Sequence, residues 1–186
     1  MNTVHYLAYG SNLHPLRLGA RVPSARVVGV VALPGYRLAF HKRSIDGSGK
    51  CLLYAARDPH HQVYGVLYEI DAGEKTALDR AEGKGGGYCE QVLQVTIDGL
   101  QYAPYLYAAR ASHIDPSLLP YHWYKRLVLA GARYHGFPAA YVAAIEATPS
   151  KPDDDARRRR ENEALLLRTL PTIIVPTYYQ CDTRLA

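Results

Sequence analysis

The chain has 186 residues, 48% of them apolar, with a formal net charge of +5. The apolar share is that of a folded globule rather than a disordered chain. The length suits one domain or one domain with an appendage, and no apolar run approaches the roughly 20 residues of a membrane-spanning helix.

The first apolar stretch, Val4 to Tyr9, reads as a strand that stops at Gly10-Ser11-Asn12, three turn or cap residues. Leu13 to Leu18 reads as a short helical turn that tolerates Pro15 near its start. Strand-like pieces follow at Ala25 to Leu33, Tyr36 to His41, Cys51 to Ala56 and Gln62 to Ile70, separated by turn-rich Ser44 to Lys50 and Asp58 to His61. Asp71 to Glu82 reads as a helix. Asp71 and Glu74 form a capping-box pattern, Ala77, Leu78 and Ala81 are the apolar positions, and Gly83 is the stop. After Gly85-Gly86-Gly87, strands around Tyr88 to Ile97 and Gln101 to Ala109 are joined by Asp98-Gly99, a strong hairpin signal. From Pro120 the period becomes helical, with Tyr121, Tyr124, Leu127, Val128 and Gly131 on one face. Pro138 opens a further helix with Tyr141 and Ile145 inward. A polar break at 149–155 precedes a last helix from Arg157 to Leu170, and Pro171 and Pro176 frame an extended tail. Strands first and helices later, with hairpins rather than regular βαβ alternation, give an α+β class.

The composition has one oddity. Sixteen tyrosines stand against two phenylalanines and one tryptophan. A buried Tyr hydroxyl needs a partner, so the excess points to wet strand surfaces or to a polar cavity walled by rings. The basic run Arg157 to Arg160 is offset locally: between Lys151 and Glu163 five positive charges meet five negative ones. A solvated helix face is therefore favoured over a nucleic-acid site, which needs clustered positive potential. Cys51, Cys89 and Cys181 have no metal spacing, and an odd count argues against a disulfide framework. Met1 to Tyr6 lacks the regions of a signal peptide. A cytoplasmic home is expected. The eight histidines form no metal-binding pattern.

Two constellations carry chemistry. In Tyr6-Leu7-Ala8-Tyr9-Gly10-Ser11-Asn12-Leu13 a strand runs into a helical start, where backbone N–H groups lack internal partners and can hold a carboxylate or phosphate. By spacing alone an ordinary strand-to-helix turn fits as well. In Leu78-Asp79-Arg80-Ala81-Glu82-Gly83, Glu82 follows Leu78 by four and shares its helix face, so a core-facing Leu78 turns Glu82 inward. Burial and the helix C-terminus both raise a carboxyl pKa toward the range useful for proton transfer. A surface Glu82 paired with Lys84 or Arg80 is the competing reading.

Taken in order, Tyr-Gly-Ser-Asn-Leu near the N-terminus, Leu-Asp-x-x-Glu-Gly some seventy residues later and Tyr88 just beyond resemble the gamma-glutamyl cyclotransferase family. Tyr105-Leu106, the stretch from Pro120 to Gly136 with Tyr124-Lys125-Arg126, and Ala144-Ile145-Glu146 are similar to the C-terminal half of its vertebrate-type members. The resemblance spans Val4 to Thr148. It implies a small mixed β-barrel with flanking helices over residues 1–150, with 151–186 left as a C-terminal helix and extended tail. It implies conversion of gamma-glutamyl amino acids to 5-oxoproline and the free amino acid, with no metal or cofactor. It implies that Glu82 is the catalytic acid/base. Binding of the gamma-glutamyl portion falls to Tyr6, Leu7, Ala8, Tyr9, Gly10, Ser11 and Asn12, with Tyr88, Tyr105 and Tyr124 lining the pocket. The triple glycine after Lys84 departs from the pattern, next to where a leaving amino acid would sit. The partner expected is a small gamma-glutamyl molecule, without nucleic acid or membrane; a homodimer is left open. The alternatives are the same chemistry on gamma-glutamyl amines or a biosynthetic intermediate, and a non-catalytic module that holds a small metabolite.

Overall fold

The computed structural model describes residues 2–56, 58, 60–168 and 170, and the backbone of 178–180. In chain order, β1 (Thr3–Ala8) leads through a 3₁₀ turn at Ser11–Leu13 into α1 (Pro15–Gly19). Then come β2 (Arg26–Pro34), β3 (Tyr36–Arg43), β4 (Gly49–Ala55) and β5 (Gln62–Asp71), and, after a 3₁₀ turn at Ala72–Glu74, α2 (Lys75–Glu82). β6 (Tyr88–Val92), β7 (Val95–Ile97), β8 (Leu100–Tyr102) and β9 (Tyr105–Ala109) precede α3 (His122–Tyr134), α4 (Ala139–Ala147), α5 (Ala156–Leu166) and β10 (Tyr178–Gln180).

β1 is the hub. Its inner residues Leu7 and Ala8 are fully buried, as a central strand demands. It pairs antiparallel with β5 (Leu7 opposite Leu67) and parallel with β9 at Tyr6–Tyr105. The sheet order is β10-β2-β5-β1-β9-β6, with β3–β4 and β7–β8 as separate two-stranded ribbons. The α+β class is as expected. A closed barrel is not formed by backbone pairing: among the described residues no pairing joins β6 back to the β2–β10 side.

Three local expectations are corrected. The two strands expected on either side of Asp98-Gly99 are each interrupted, at 93–94 and at 103–104, where Pro104 has no N–H to give a ladder. The hairpin itself is as expected, with positive φ at Asp98 (52°) and Gly99 (76°). Asp71 caps its helix by accepting from Gly73 N at 2.7 Å, but Glu74 does not close a capping box. Its carboxylate turns to Ser24, taking the backbone N–H at 3.1 Å and the hydroxyl at 2.5 Å. Of the three apolar positions on α2 only Leu78 is buried; Ala77 and Ala81 are exposed.

α3 buries Trp123, Tyr124, Leu127, Val128, Gly131 and Ala132, close to the expected stripe. α5 begins one residue before the expected start and ends at Leu166 rather than Leu170. Asp155 caps it, accepting from the N–H groups of Arg157 and Arg158. Its arginines are mostly spent locally: Arg157 on Glu161 at 2.8 Å, and Arg158 on the buried Asp153 at 2.5 Å. Asp153 also accepts from Trp123 Nε1 at 2.8 Å, which ties the start of α5 to α3. The tail expected between Pro171 and Pro176, and Cys181, lie outside the described residues. Among the described residues no helix is long and apolar enough to cross a membrane.

Candidate active site

β1 ends where its pleat delivers Tyr9, and the chain turns at Gly10. The conformation of Gly10 (φ −119°) is open to other residues; what requires glycine is crowding. A Cβ there would lie 3.1 Å from Cys51 Cβ and 3.4 Å from the Tyr124 hydroxyl. The 3₁₀ turn that follows closes through Leu13 N to Gly10 O at 2.9 Å. The N–H groups that open it have no partner within the turn. α3 braces this turn from behind. Gly131 packs so closely that a Cβ would stand 2.5 Å from the Leu13 carbonyl carbon. His135 Nε2 lies 3.0 Å from the Leu13 oxygen, which can only accept, so the imidazole carries its proton there.

Glu82, the last residue of α2, reaches the turn from across the sheet. Gly83 follows it in the left-handed conformation (φ 68°) and ends the helix. The Glu82 carboxylate is not paired with Lys84 or Arg80. Its Oε1 receives Asn12 Nδ2 at 3.0 Å and Arg21 Nη1 at 2.5 Å. Asn12 bridges the set: Nδ2 also reaches the Tyr6 hydroxyl at 2.8 Å, and Oδ1 accepts from Arg21 at 2.7 Å. Both donors converge on Oε1; among the described residues Oε2 has no hydrogen-bond partner. The ion pair is largely withdrawn from solvent, with side-chain exposures of 20% for Arg21 and 18% for Glu82. Lys84 is occupied elsewhere, by Asp79 and Glu90.

A cleft opens beside the carboxylate, lined by Tyr6, Tyr9, Gly10, Ser11, Asn12, Cys51, Glu82, Tyr88, Tyr107 and Tyr124. Eight of the eleven residues singled out from the sequence therefore meet in one place. Leu7 and Ala8 do not line it; they face the core from β1. Tyr105 stands one ring back, its centroid 5.4 Å from that of Tyr6 and under Lys75 Nζ at 4.4 Å. Its strand neighbour on the same face, Tyr107, is the one at the cleft: its carbonyl accepts the Tyr9 hydroxyl and its own hydroxyl donates to Asp79 at 2.7 Å.

Sequence inspection missed Tyr107, Cys51 and Arg21. The two-residue period of a strand could have offered Tyr107 alongside Tyr105. Cys51 and Arg21 carry no local signal, since only the tertiary fold brings them to Gly10 and Glu82. Cys51 knits the wall through its backbone: its N–H donates to the Tyr124 hydroxyl at 3.1 Å and its carbonyl accepts from Tyr88 at 2.7 Å. Burial raises the Cys51 thiol to about 12, so it is no nucleophile at neutral pH. Burial, with Glu82 nearby, also drives the hydroxyls of Tyr6, Tyr9, Tyr88 and Tyr124 well above their ordinary range. They act as neutral donors and acceptors. Arg17 extends the cationic side, donating to the Ser11 hydroxyl at 3.1 Å; burial pulls its guanidinium down to about 10. Among the described residues no three His, Cys, Asp or Glu side chains are grouped as a metal site would need.

A family model described as AIG2-like matches residues 62–145, which include Glu82 but not the N-terminal turn. The gamma-glutamylcyclotransferase of Mus musculus is 30% identical over 151 residues, covering 78% of each chain. That of Homo sapiens is 29% identical over 149 residues, covering 76% of this chain and 77% of its own. A solved structure named gamma-glutamyl cyclotransferase superposes with a TM-score of 0.73 at 24% identity, covering 88% of this chain and 99% of its own. YkqA from Bacillus subtilis superposes at 0.66 and 19% identity, covering 81% of this chain and 56% of its own. The two superpositions show a shared fold.

Proposed function

This chain belongs to the gamma-glutamylcyclotransferase family, and on that premise we propose that it converts gamma-glutamyl compounds to 5-oxoproline, using Glu82 as its acid/base. The observation that supports the reading most is the disposition of Glu82: one carboxylate oxygen is fixed by Asn12 and Arg21, and the residue lines the tyrosine-walled cleft.

The reaction is an intramolecular aminolysis. The substrate's α-ammonium, with an ordinary pKa of about 8, gives up one proton to Glu82, and the freed amine attacks its own γ-carbonyl carbon, losing its second proton to solvent as the ring closes. A tetrahedral centre forms, the bond from that carbon to the amide nitrogen breaks, and Glu82 returns the proton to the departing nitrogen. The five-membered lactam leaves as 5-oxoproline beside the free amine. One carboxylate serves both transfers because both nitrogens are bonded to, or closing on, the same carbon. Such general acid/base work contributes roughly 10²- to 10⁴-fold. Holding the chain folded for attack contributes more, up to roughly 7–11 kcal/mol in favourable cases.

The roles of the other residues follow. The N–H groups at Gly10 and Ser11 supply donors for the substrate carboxylate or for the oxyanion of the tetrahedral centre. Tyr6, Tyr9, Tyr88 and Tyr124 wall the cleft, and their neutral hydroxyls orient the amine. Arg21 and Asn12 position Glu82. Tyr105 supports the Tyr6 ring from behind. The test is direct: purified protein, given a panel of gamma-glutamyl compounds, releases one 5-oxoproline for each free amine. A folded protein that binds such compounds without releasing 5-oxoproline would support the binding-module alternative instead.

A further inference from the structure

The last helix reaches back to the N-terminal turn. Arg17, on α1, is partly buried and spends its guanidinium on two neutral side chains. Its Nε donates to the Ser11 hydroxyl at 3.1 Å, and Ser11 lines the cleft. Its Nη1 donates to Asn162 Oδ1 at 2.9 Å, and Asn162 belongs to α5, 145 positions away. The Asn162 amide is itself held, with Nδ2 donating to the Arg158 carbonyl at 2.8 Å. The Arg17 guanidinium also lies over the ring of Trp123, 5.9 Å from the centroid. That indole donates to Asp153, the carboxylate with which Arg158 of α5 pairs.

The direction of the Arg17–Ser11 bond has a chemical consequence. A guanidinium has five N–H donors and no acceptor, so the Ser11 oxygen accepts and its own proton is left for another partner. The cleft that Ser11 lines supplies that partner when an anionic group enters it. A cationic donor on the oxygen also polarises the hydroxyl and strengthens it as a donor in turn. The hydroxyl then joins the backbone N–H groups of Gly10 and Ser11 as a donor fixed in advance. A long side chain on the five-residue α1 has many rotamers. Asn162 and the Trp123 ring select one of them.

We propose that Arg17 is a positioning residue that acts through Ser11, presetting its hydroxyl as a donor to the anionic group of the reacting substrate, and that α5 takes part in the site by holding Arg17 through Asn162. This rests on the cyclotransferase reading and extends the working site into a helix that lies outside the matched residues 62–145. Asn162 is not among the residues that line the cleft, so its effect runs through Arg17.

The test is a pair of double-mutant cycles, read as kcat/KM for 5-oxoproline release from one gamma-glutamyl compound that the wild type turns over. Ser11→Ala and Arg17→Met are each expected to lower it by roughly 10- to 100-fold, and Asn162→Leu by roughly 3- to 10-fold. Combined with Ser11→Ala, neither Arg17→Met nor Asn162→Leu causes much further loss, because the hydroxyl through which they act is gone. Arg17→Lys, with a single ammonium in place of the fork, recovers part of what Arg17→Met loses. A merely structural role lowers both backgrounds alike. Losses that multiply therefore overturn the proposal, as does wild-type turnover in Ser11→Ala or in Asn162→Leu. Asn162 is only partly buried on its helix, so its cycle gives the answer even where Arg17→Met does not fold. Each of these results leaves the cyclotransferase reading intact. Failure of the wild type to release 5-oxoproline from any gamma-glutamyl compound overturns both.

Discussion

At the scale of single residues, the site is a carboxylate aimed by two neighbours. Arg21 contributes a charge-assisted hydrogen bond and a counter-charge, Asn12 a neutral donor, and both act on Oε1. Arg21→Met removes the stronger of the two and leaves Glu82 free to turn. The expected result is a fall in kcat of roughly 10- to 100-fold with KM little changed, since the guanidinium bonds Glu82 and Asn12 and Arg21 is not among the residues that line the cleft. Arg21→Lys should restore part of it. A rise in KM with kcat intact would instead place Arg21 in substrate binding. Glu82 itself was readable from the sequence: its spacing from Leu78 turns it inward, and Leu78 is indeed fully buried. Arg21 was not readable, because a basic residue just after a five-residue helix has the same local sequence whether it faces solvent or a carboxylate 61 positions away.

At the scale of elements, the N-terminal turn is shaped from behind as much as from within. Gly131 on α3 and Gly10 in the turn are both small for the sake of neighbours rather than of φ. Gly131→Ala drives a methyl into the Leu13 backbone, which a β-carbon cannot avoid by changing rotamer. The expected outcome is a loss of roughly 1–3 kcal/mol in denaturant unfolding, together with reduced turnover as the turn shifts. Wild-type stability and activity in the Gly131→Ala variant would show that α3 does not set the turn. Helices and strands were legible here wherever periodicity was strong: α3 follows its apolar stripe, and the Asp98-Gly99 hairpin follows its turn chemistry. The break between β6 and β7 was not, because it falls where the β7–β8 ribbon leaves the main sheet, whereas Pro104 marked the break between β8 and β9. Glu74 was misjudged for a similar reason. Its local capping geometry lost to a tertiary partner, Ser24.

At the scale of the whole molecule, stability depends on acidity through a group that also braces the site. Burial lowers His135 to about 4, below its ordinary value near 6.5. Between those values the unfolded chain binds the proton and the folded chain does not, so stability rises with pH across that window. Acidification from pH 6.5 toward 4 should therefore weaken the fold by up to about 1.4 kcal/mol per unit, read as a falling denaturation midpoint. His135→Gln should flatten that part of the profile; an unaltered profile would assign the acid sensitivity to other groups. The tyrosine excess also resolves at this scale. Tyr6, Tyr9, Tyr88, Tyr107 and Tyr124 converge on one cleft from four strands or turns and a helix. Others, such as Tyr68 against His135, pack in the core with their hydroxyls partnered. Composition signalled a ring-walled cavity, but choosing Tyr107 over Tyr105 required the fold.

The central claim is that Glu82 moves the protons of a cyclisation. Glu82→Gln keeps the size of the side chain and its contact with Arg21 while removing the base. With a gamma-glutamyl substrate the folded variant should bind but release 5-oxoproline at least roughly 10²-fold more slowly than the wild type. Release at a near-normal rate by a folded Glu82→Gln protein would contradict the account.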